Sequence, residues 1–232
     1  MRVGLLMCGH VHPDALDIGG DYPELLAPLF DRHGVELVRY DADLAQLPDD
    51  VDECDGWITS PARCSVNDDL PWIRDTEALV RELVGRERAF AGICFGHQLL
   101  ATALGGRVER SAGGWGVGVK EYEVVASQWW MEPPRPTFSL IASHEDQVTE
   151  LPPGAELVAR SGYCPNAAFR VGERAIAIQA HPEFPVELSA RLMTLREELI
   201  GHDVVAAARQ TLGTAPDREL VVGWISRFLR GA

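Results

Sequence analysis

The chain has 232 residues, 46% of them hydrophobic and 24% charged, with a formal net charge of −14. That length can bury a large core within a single α/β domain. The acidity argues against nucleic acid and anionic membrane as partners, because both require a basic surface.

The N-terminal run M-R-V-G-L-L-M-C-G-H holds only a few apolar residues before it turns polar, so Val3 to Cys8 is predicted as a first strand and not as a signal peptide. No segment reaches the roughly 20 apolar residues that cross a bilayer. A loop with His10, His12 and Gly19-Gly20 follows, then a helix from Pro23 to His33 with Leu25, Leu26, Leu29 and Phe30 at helical spacing and Gly34 as its stop. Val35 to Tyr40 alternates as a strand, Asp41 to Cys54 is an acidic loop, and Gly56 to Thr59 is a short strand broken by Ser60-Pro61. Pro71 to Gly85 has the period of a helix. Ala89 to Ile93 is a buried strand, and Leu99, Leu100, Ala103 and Leu104 mark one face of a helix ending at Gly105-Gly106. Strands and helices that alternate in this way predict a mostly parallel sheet covered on both faces, with reactive groups beyond the C-terminal strand ends.

The second half reads differently. Val108 to Arg110, Val117 to Val125, Thr137 to Ala142, Glu156 to Ser161, Ala167 to Val171 and Ala175 to Gln179 are predicted strands. The turns at Pro152-Pro153-Gly154 and Gly172-Glu173-Arg174 suggest antiparallel hairpins. Leu188, Leu192, Leu195 and Leu199 mark one helix, and Leu220, Trp224 and Phe228 mark a last one.

The stretch G-I-C-F-G-H-Q, Gly92 to Gln98, has the chemistry of a nucleophile elbow. A buried cysteine is often only a small hydrophobe, but a strand, a tight turn with Cys94 at its apex and a helix point to a nucleophile. Glycines two before and two after the apex keep the turn free of clashes, and the helix N-terminus favours negative charge on the sulfur. A base is available in Q-A-H-P-E-F, where a strand ends just before His181 and Glu183. An imidazole and a carboxylate two residues apart around Pro182 can lie side by side. His181 would then move the thiol proton, and Glu183 would orient the ring. The other reading is a structural histidine beside a helix start.

These two segments together resemble the class I glutamine amidotransferases of the Cys-His-Glu type, in particular stand-alone members related to the amidotransferase domain of GMP synthetase. Asp55-Gly56-Trp57-Ile58-Thr59-Ser60 and Ser143-His144-Glu145-Asp146-Gln147-Val148 match two further blocks in order and spacing. The resemblance implies a single α/β domain over residues 1–232, flavodoxin-like, with a mostly parallel central sheet, helices on both faces and an antiparallel strand extension in the second half. It implies glutamine hydrolysis through a γ-glutamyl thioester with release of ammonia. By position, Cys94 is the nucleophile, His181 the base and Glu183 its orienting partner. The backbone of Phe95 and of Ser60 forms the oxyanion hole, and Gln98, Ser143 and His144 contact the substrate. At the oxyanion loop the family usually has glycine, whereas this chain has Thr59-Ser60-Pro61.

The same resemblance extends to plant γ-glutamyl peptidases, which apply thioester chemistry to γ-glutamyl peptides. Three functions therefore stand: a glutaminase whose ammonia acceptor is a separate synthetase subunit, a γ-glutamyl hydrolase acting alone, and a binding module without catalysis. No cofactor and no metal are expected, since neither His10, His12 and Asp14 nor His97, His144 and His181 have the spacing of a zinc site. The five cysteines are odd in number and contain no C-x-x-C pair, which suits a reducing compartment and predicts a cytoplasmic protein. Gly113-Gly114-Trp115-Gly116 reads as a turn with a packed tryptophan, and Trp129-Trp130 as an exposed rim or partner contact, or as ordinary packing.

Overall fold

The computed structural model describes residues 1–231. Its strands are β1 (Arg2–Leu6), β2 (Glu36–Tyr40), β3 (Gly56–Thr59), β4 (Ala89–Ile93), β5 (Arg107–Arg110), β6 (Gly116–Val124), β7 (Thr137–His144), β8 (Asp146–Glu150), β9 (Ala155–Arg160), β10 (Ala168–Val171) and β11 (Ala175–Ile178). Its helices are α1 (Tyr22–Asp31), α2 (Pro71–Gly85), α3 (Phe95–Ala103), α4 (Val186–Leu195), α5 (Glu197–Ile200), α6 (His202–Thr211) and α7 (Arg218–Arg230).

A nine-stranded sheet runs in the order β2-β1-β3-β4-β11-β10-β9-β6-β7. The first five of these pair in parallel, and the pairs from β11 to β7 are antiparallel. The expected α/β sheet with an antiparallel extension is thus what forms. β1 shows why: Val3 and Leu5 enter one core while Leu6 enters the other, so both faces must be covered. Helices α1 and α7 cover one face with Leu26, Phe30, Val222, Trp224 and Phe228, and α2 and α3 cover the other with Ile73, Val80, Leu83, Leu99 and Leu100. Each fully buried side chain of this size contributes about 1.5–3 kcal/mol. The α1 start adds a capping box, in which Asp21 accepts from the first turn and its own N–H donates to Glu24.

Three features differ from the sequence reading. The turn at Pro152-Pro153-Gly154 is not a hairpin: it carries the chain from β8, which pairs with β5 in a separate two-stranded ribbon, to β9 in the large sheet. β8 itself is not among the predicted strands, because Val148 is the only apolar residue of its five and no alternation marks it. The helix marked by Leu188 to Leu199 breaks at Arg196 (φ −117°, ψ 15°), and the further helix α6 follows. Helix α6 packs on β6 through Val205 and Ala208 against Val117, and Thr211 Oγ1 accepts from the N–H of Val119 at 2.9 Å.

Candidate active site

Strand β4 is buried along its whole length and delivers the chain to Cys94, whose backbone sits at φ 50°, ψ −94°. A non-glycine residue in this region costs about 1–3 kcal/mol and persists only where its surroundings impose it. Here the surroundings do. The Cys94 N–H donates to Ile178 O at 2.9 Å, and its carbonyl accepts from the N–H groups of His97 and Gln98 in the first turn of α3. A Cβ on Gly92 would lie 2.3 Å from Gly96 O, and one on Gly96 only 1.7 Å from Thr59 Oγ1. The two elbow glycines are therefore required by contact, as the spacing suggests.

β11 is the parallel neighbour of β4, so the residues after β11 emerge beside the elbow. The His181 N–H donates to Ile141 O at 2.9 Å, which fixes the loop onto β7. His181 and Glu183 are both buried, and the ring Nδ1–H donates to Glu183 Oε1 at 2.7 Å. Nε2 is left for the sulfur, without a fully formed hydrogen bond. Burial opposes charge on this ring. The adjacent Cys94 sulfur and the Glu183 carboxylate, the latter hydrogen-bonded to the ring, outweigh burial and raise the imidazole from 6.5 to about 10. Phe184 stacks on the ring with centroids 4.1 Å apart, and Tyr22 stacks on Phe184 in turn. From the start of α7, Arg218 donates to Pro182 O at 3.0 Å and to Glu183 O at 2.7 Å, so a distant helix holds the backbone of the His-Glu loop.

Gln179 Nε2 approaches Cys94 Sγ at 3.5 Å, and its Oε1 accepts from Gln98 Nε2 at 3.2 Å. Gln98 also donates to Asp146 O at 2.9 Å, which ties α3 to the turn where the chain leaves the large sheet for the ribbon. In that turn His144 Nδ1–H donates to Asp146 O at 3.1 Å, while its buried Nε2 has no partner. Burial is the main reason that His144 is depressed to about 3, so the ring is neutral and Nε2 is an acceptor. A cavity of about 150 Å3 opens over these groups, with Cys94, Phe95, Gln98, Ser143 and His144 in its wall.

Ser60 does not fill its expected part. Its N–H donates to Leu6 O at 2.9 Å, continuing the β1–β3 ladder, and its Oγ accepts from Cys8 N and donates to Pro61 O. With no free donor, Ser60 is a bracket between β1 and the loop. Pro61 has no N–H, so the next donor in the loop belongs to Ala62. It lines the cavity, and its N–H makes no hydrogen bond among the described residues. Phe95 lines the same cavity at the first position of α3, where its N–H has no partner within the helix.

The sequence reading gives no role to Gln179, Ala62 or Arg218. Gln179 is visible within Q-A-H-P-E, whereas Arg218 lies in a separate helix with no local signal. Trp115, expected as a packed turn residue, lines the cavity. Trp130 is buried against Phe228, and Trp129 is exposed. His97 is buried, donates Nε2–H to Asn166 O at 2.8 Å and is depressed to about 4, chiefly by burial. All five cysteines are free, and no His, Cys, Asp or Glu grouping suited to a metal ion occurs among the described residues. No helix among them is long and apolar enough to cross a membrane.

Fold and site together describe an α/β protein with a Cys-His-Glu constellation mounted on a strand-to-helix elbow. The family model "Glutamine amidotransferase class-I" matches residues 15–195, and the chain belongs to that family. It is 28% identical over 224 residues to γ-glutamyl peptidase 3 of Arabidopsis thaliana, covering 91% of this chain and 90% of that one. It is 32% identical over 174 residues to a glutamine-hydrolysing GMP synthase subunit of Methanopyrus kandleri, covering 72% and 87%. The crystal structure of a glutamine amidotransferase from Thermotoga maritima superposes with a TM-score of 0.77 at 22% identity, over 99% of this chain and 96% of that one.

Proposed function

We propose that this protein hydrolyses a γ-glutamyl amide through a thioester on Cys94. The observation that carries the reading is a cysteine on a strained elbow beside a buried His181–Glu183 pair, with the ring Nδ1–H on the carboxylate and Nε2 free for the sulfur. With the proton on His181, the Cys94 sulfur attacks the amide carbon. The oxyanion is met by the N–H groups of Phe95 and Ala62. The C–N bond breaks as His181 gives its proton to the leaving nitrogen. Water then attacks the thioester, His181 takes and keeps one of its protons, the C–S bond breaks with its electron pair returning to the sulfur so that the starting pair is restored, and the new γ-carboxyl group gives its remaining proton to solvent as glutamate leaves. Glu183 stabilises the imidazolium, and Gln179 steadies the sulfur. Neutral His144 offers Nε2 to the substrate's α-ammonium beside Ser143, and Gln98 faces the same end.

With glutamine as substrate the product is ammonia, to be taken up by a separate synthetase subunit. The similarity to the GMP synthase subunit of Methanopyrus kandleri supports this reading. A second reading, in which the chain alone cleaves γ-glutamyl peptides, is favoured by similarity to a γ-glutamyl peptidase over nine-tenths of both chains. Both begin with the same thioester. A glutamine-mimicking diazo-ketone should label Cys94 in the wild type and leave Cys94→Ser unlabelled. A folded wild-type protein that resists labelling would refute the thioester. Offering glutathione, glutamine and γ-glutamyl amines in competition separates the two readings by the amine released.

A further inference from the structure

A γ-glutamyl group carries an α-ammonium, and the side chains already placed at that end of the cavity, His144, Ser143 and Gln98, are neutral. An ammonium has three donors, and moving it from water onto uncharged acceptors alone is unfavourable unless a negative charge accompanies it. Two acidic residues share the cavity wall, Glu145 and Asp146. Asp146 Oδ2 accepts from Ser65 Oγ at 2.6 Å, which ties that carboxylate to the loop after β3. Glu145 is less committed. Arg110 Nε lies 3.2 Å from its Oε2, and among the described residues its Oε1 has neither a hydrogen-bond nor an ion-pair partner.

The fold explains why Glu145 is there. It is the single residue between β7 and β8, a bend at which the chain leaves the large sheet for the ribbon. In a continuous strand successive side chains point to opposite faces. At this bend His144 and Glu145 both reach the cavity wall. The Glu145 carbonyl accepts from Ser111 N at 3.0 Å, and Arg110 is the ribbon partner of Asp146, so the backbone on both sides of the Arg110–Glu145 pair is fixed. The Glu145 side chain is 23% exposed and that of Arg110 77%, which makes the carboxylate the inner member of the pair. His144 supplies the second mark of a ligand, because its ring is 4% exposed and its acceptor Nε2 has no partner. An open buried acceptor beside a free carboxylate oxygen matches a group with several N–H donors and a positive charge. We propose that Glu145 is the specificity-determining residue for the substrate's α-ammonium: Oε1 takes one N–H and the charge, His144 Nε2 takes a second N–H, and Arg110 is a positioning residue that holds Oε2.

This inference rests on the γ-glutamyl thioester reading, and the experiment separates the two. The full-length protein is treated with two diazo-ketones: the glutamine mimic, and its deamino form, which keeps the α-carboxylate and lacks only the α-amino group. Neither releases an amine, so the comparison is confined to the glutamyl end. In the wild type the second-order rate of Cys94 labelling should favour the amino reagent by about 10- to 100-fold, the range of a charge-assisted hydrogen bond. Glu145→Gln should lower that ratio by about 10-fold through the amino reagent, and Glu145→Asp should keep part of it. Arg110→Gln should lower it by about 2- to 5-fold, as suits an exposed ion pair. Iodoacetamide, which has no glutamyl end, reads the sulfur's own reactivity in each variant. A wild-type ratio near one, or a ratio untouched by Glu145→Gln, overturns the ammonium site while leaving the thioester intact. So does a Glu145→Gln variant that slows both diazo-ketones alike, which would make Glu145 a structural residue of the bend. Failure of both reagents to label Cys94 in the folded wild type removes the thioester reading and this inference with it.

Discussion

Replacing Glu183 with glutamine removes one buried charge while nearly preserving volume, and an amide oxygen can still accept the His181 Nδ1–H now held at 2.7 Å. In the wild type, burial disfavours the imidazolium, and Cys94 and Glu183 together overcome it to raise the ring from 6.5 to about 10. At about 1.4 kcal/mol per pH unit, that net preference is roughly 5 kcal/mol. The two groups also offset burial, so if they contribute about evenly, removing one of them takes away at least half of that net, at least roughly 2–3 kcal/mol. The imidazole should then titrate near pH 8, so kcat/KM should fall about 2-fold at pH 8 and about 10-fold at pH 9, where the variant ring has lost most of its protons. The assay is the pH dependence of kcat/KM on a γ-glutamyl substrate, paired with the rate of Cys94 alkylation by iodoacetamide over the same range. The alkaline limb, where His181 loses the proton it must give to the leaving amine, should move down by about two pH units. A folded variant whose alkaline limb stays in place would refute the charge argument and reduce Glu183 to a hydrogen-bonding prop.

Two further outcomes follow from contact and burial. Gly96→Ala drives a Cβ to within 1.7 Å of Thr59 Oγ1, the atom that accepts from Ile93 N at 3.2 Å. It should cost about 3 kcal/mol and lower Tm by about 6–12 °C in a thermal melt; an unchanged Tm would contradict the packing described for the elbow. His97 and His144 stay neutral when folded, depressed to about 4 and about 3, but take a proton near 6.5 when unfolded. Below pH 6.5 the unfolded state therefore binds more protons. The stability these two rings contribute is present above 6.5 and lost as pH falls toward 4 and then 3, with a combined slope approaching about 2.7 kcal/mol per pH unit. Urea unfolding at a series of pH values checks this, and His144→Asn should roughly halve the slope.

Much of this molecule is legible along the chain. The helix Pro71–Gly85 and the strand Ala89–Ile93 have the bounds that periodicity predicts, because each buries a face whose repeat is written in consecutive residues. The elbow is legible for a similar reason. Gly92 is demanded by a clash with Gly96 four residues on, a local contact that leaves a local mark, whereas Gly96 is demanded by Thr59 on the neighbouring strand β3. The pair at His181 and Glu183 is close in sequence as well as in space. What is less legible depends on the partner across the fold. Ser60 has the place of a donor along the chain, but the ladder from β1 claims its N–H. Leu199 has the spacing of a further turn of one helix, but the chain breaks at Arg196.

By itself, then, the sequence determined the parallel half of the sheet, the elbow that carries Cys94 and the neighbouring His181–Glu183 pair, governed by hydrophobic period and by contacts close along the chain. Tertiary structure alone decided which backbone donors remain free, which glutamine reaches the sulfur, that Arg218 holds the His-Glu loop from α7, and that Arg110 meets Glu145 at the cavity wall. Those features depend on groups brought together from tens of residues apart. A hydrogen bond or an ion pair of that kind exists only once the sheet has been assembled and each donor has met, or failed to meet, an acceptor.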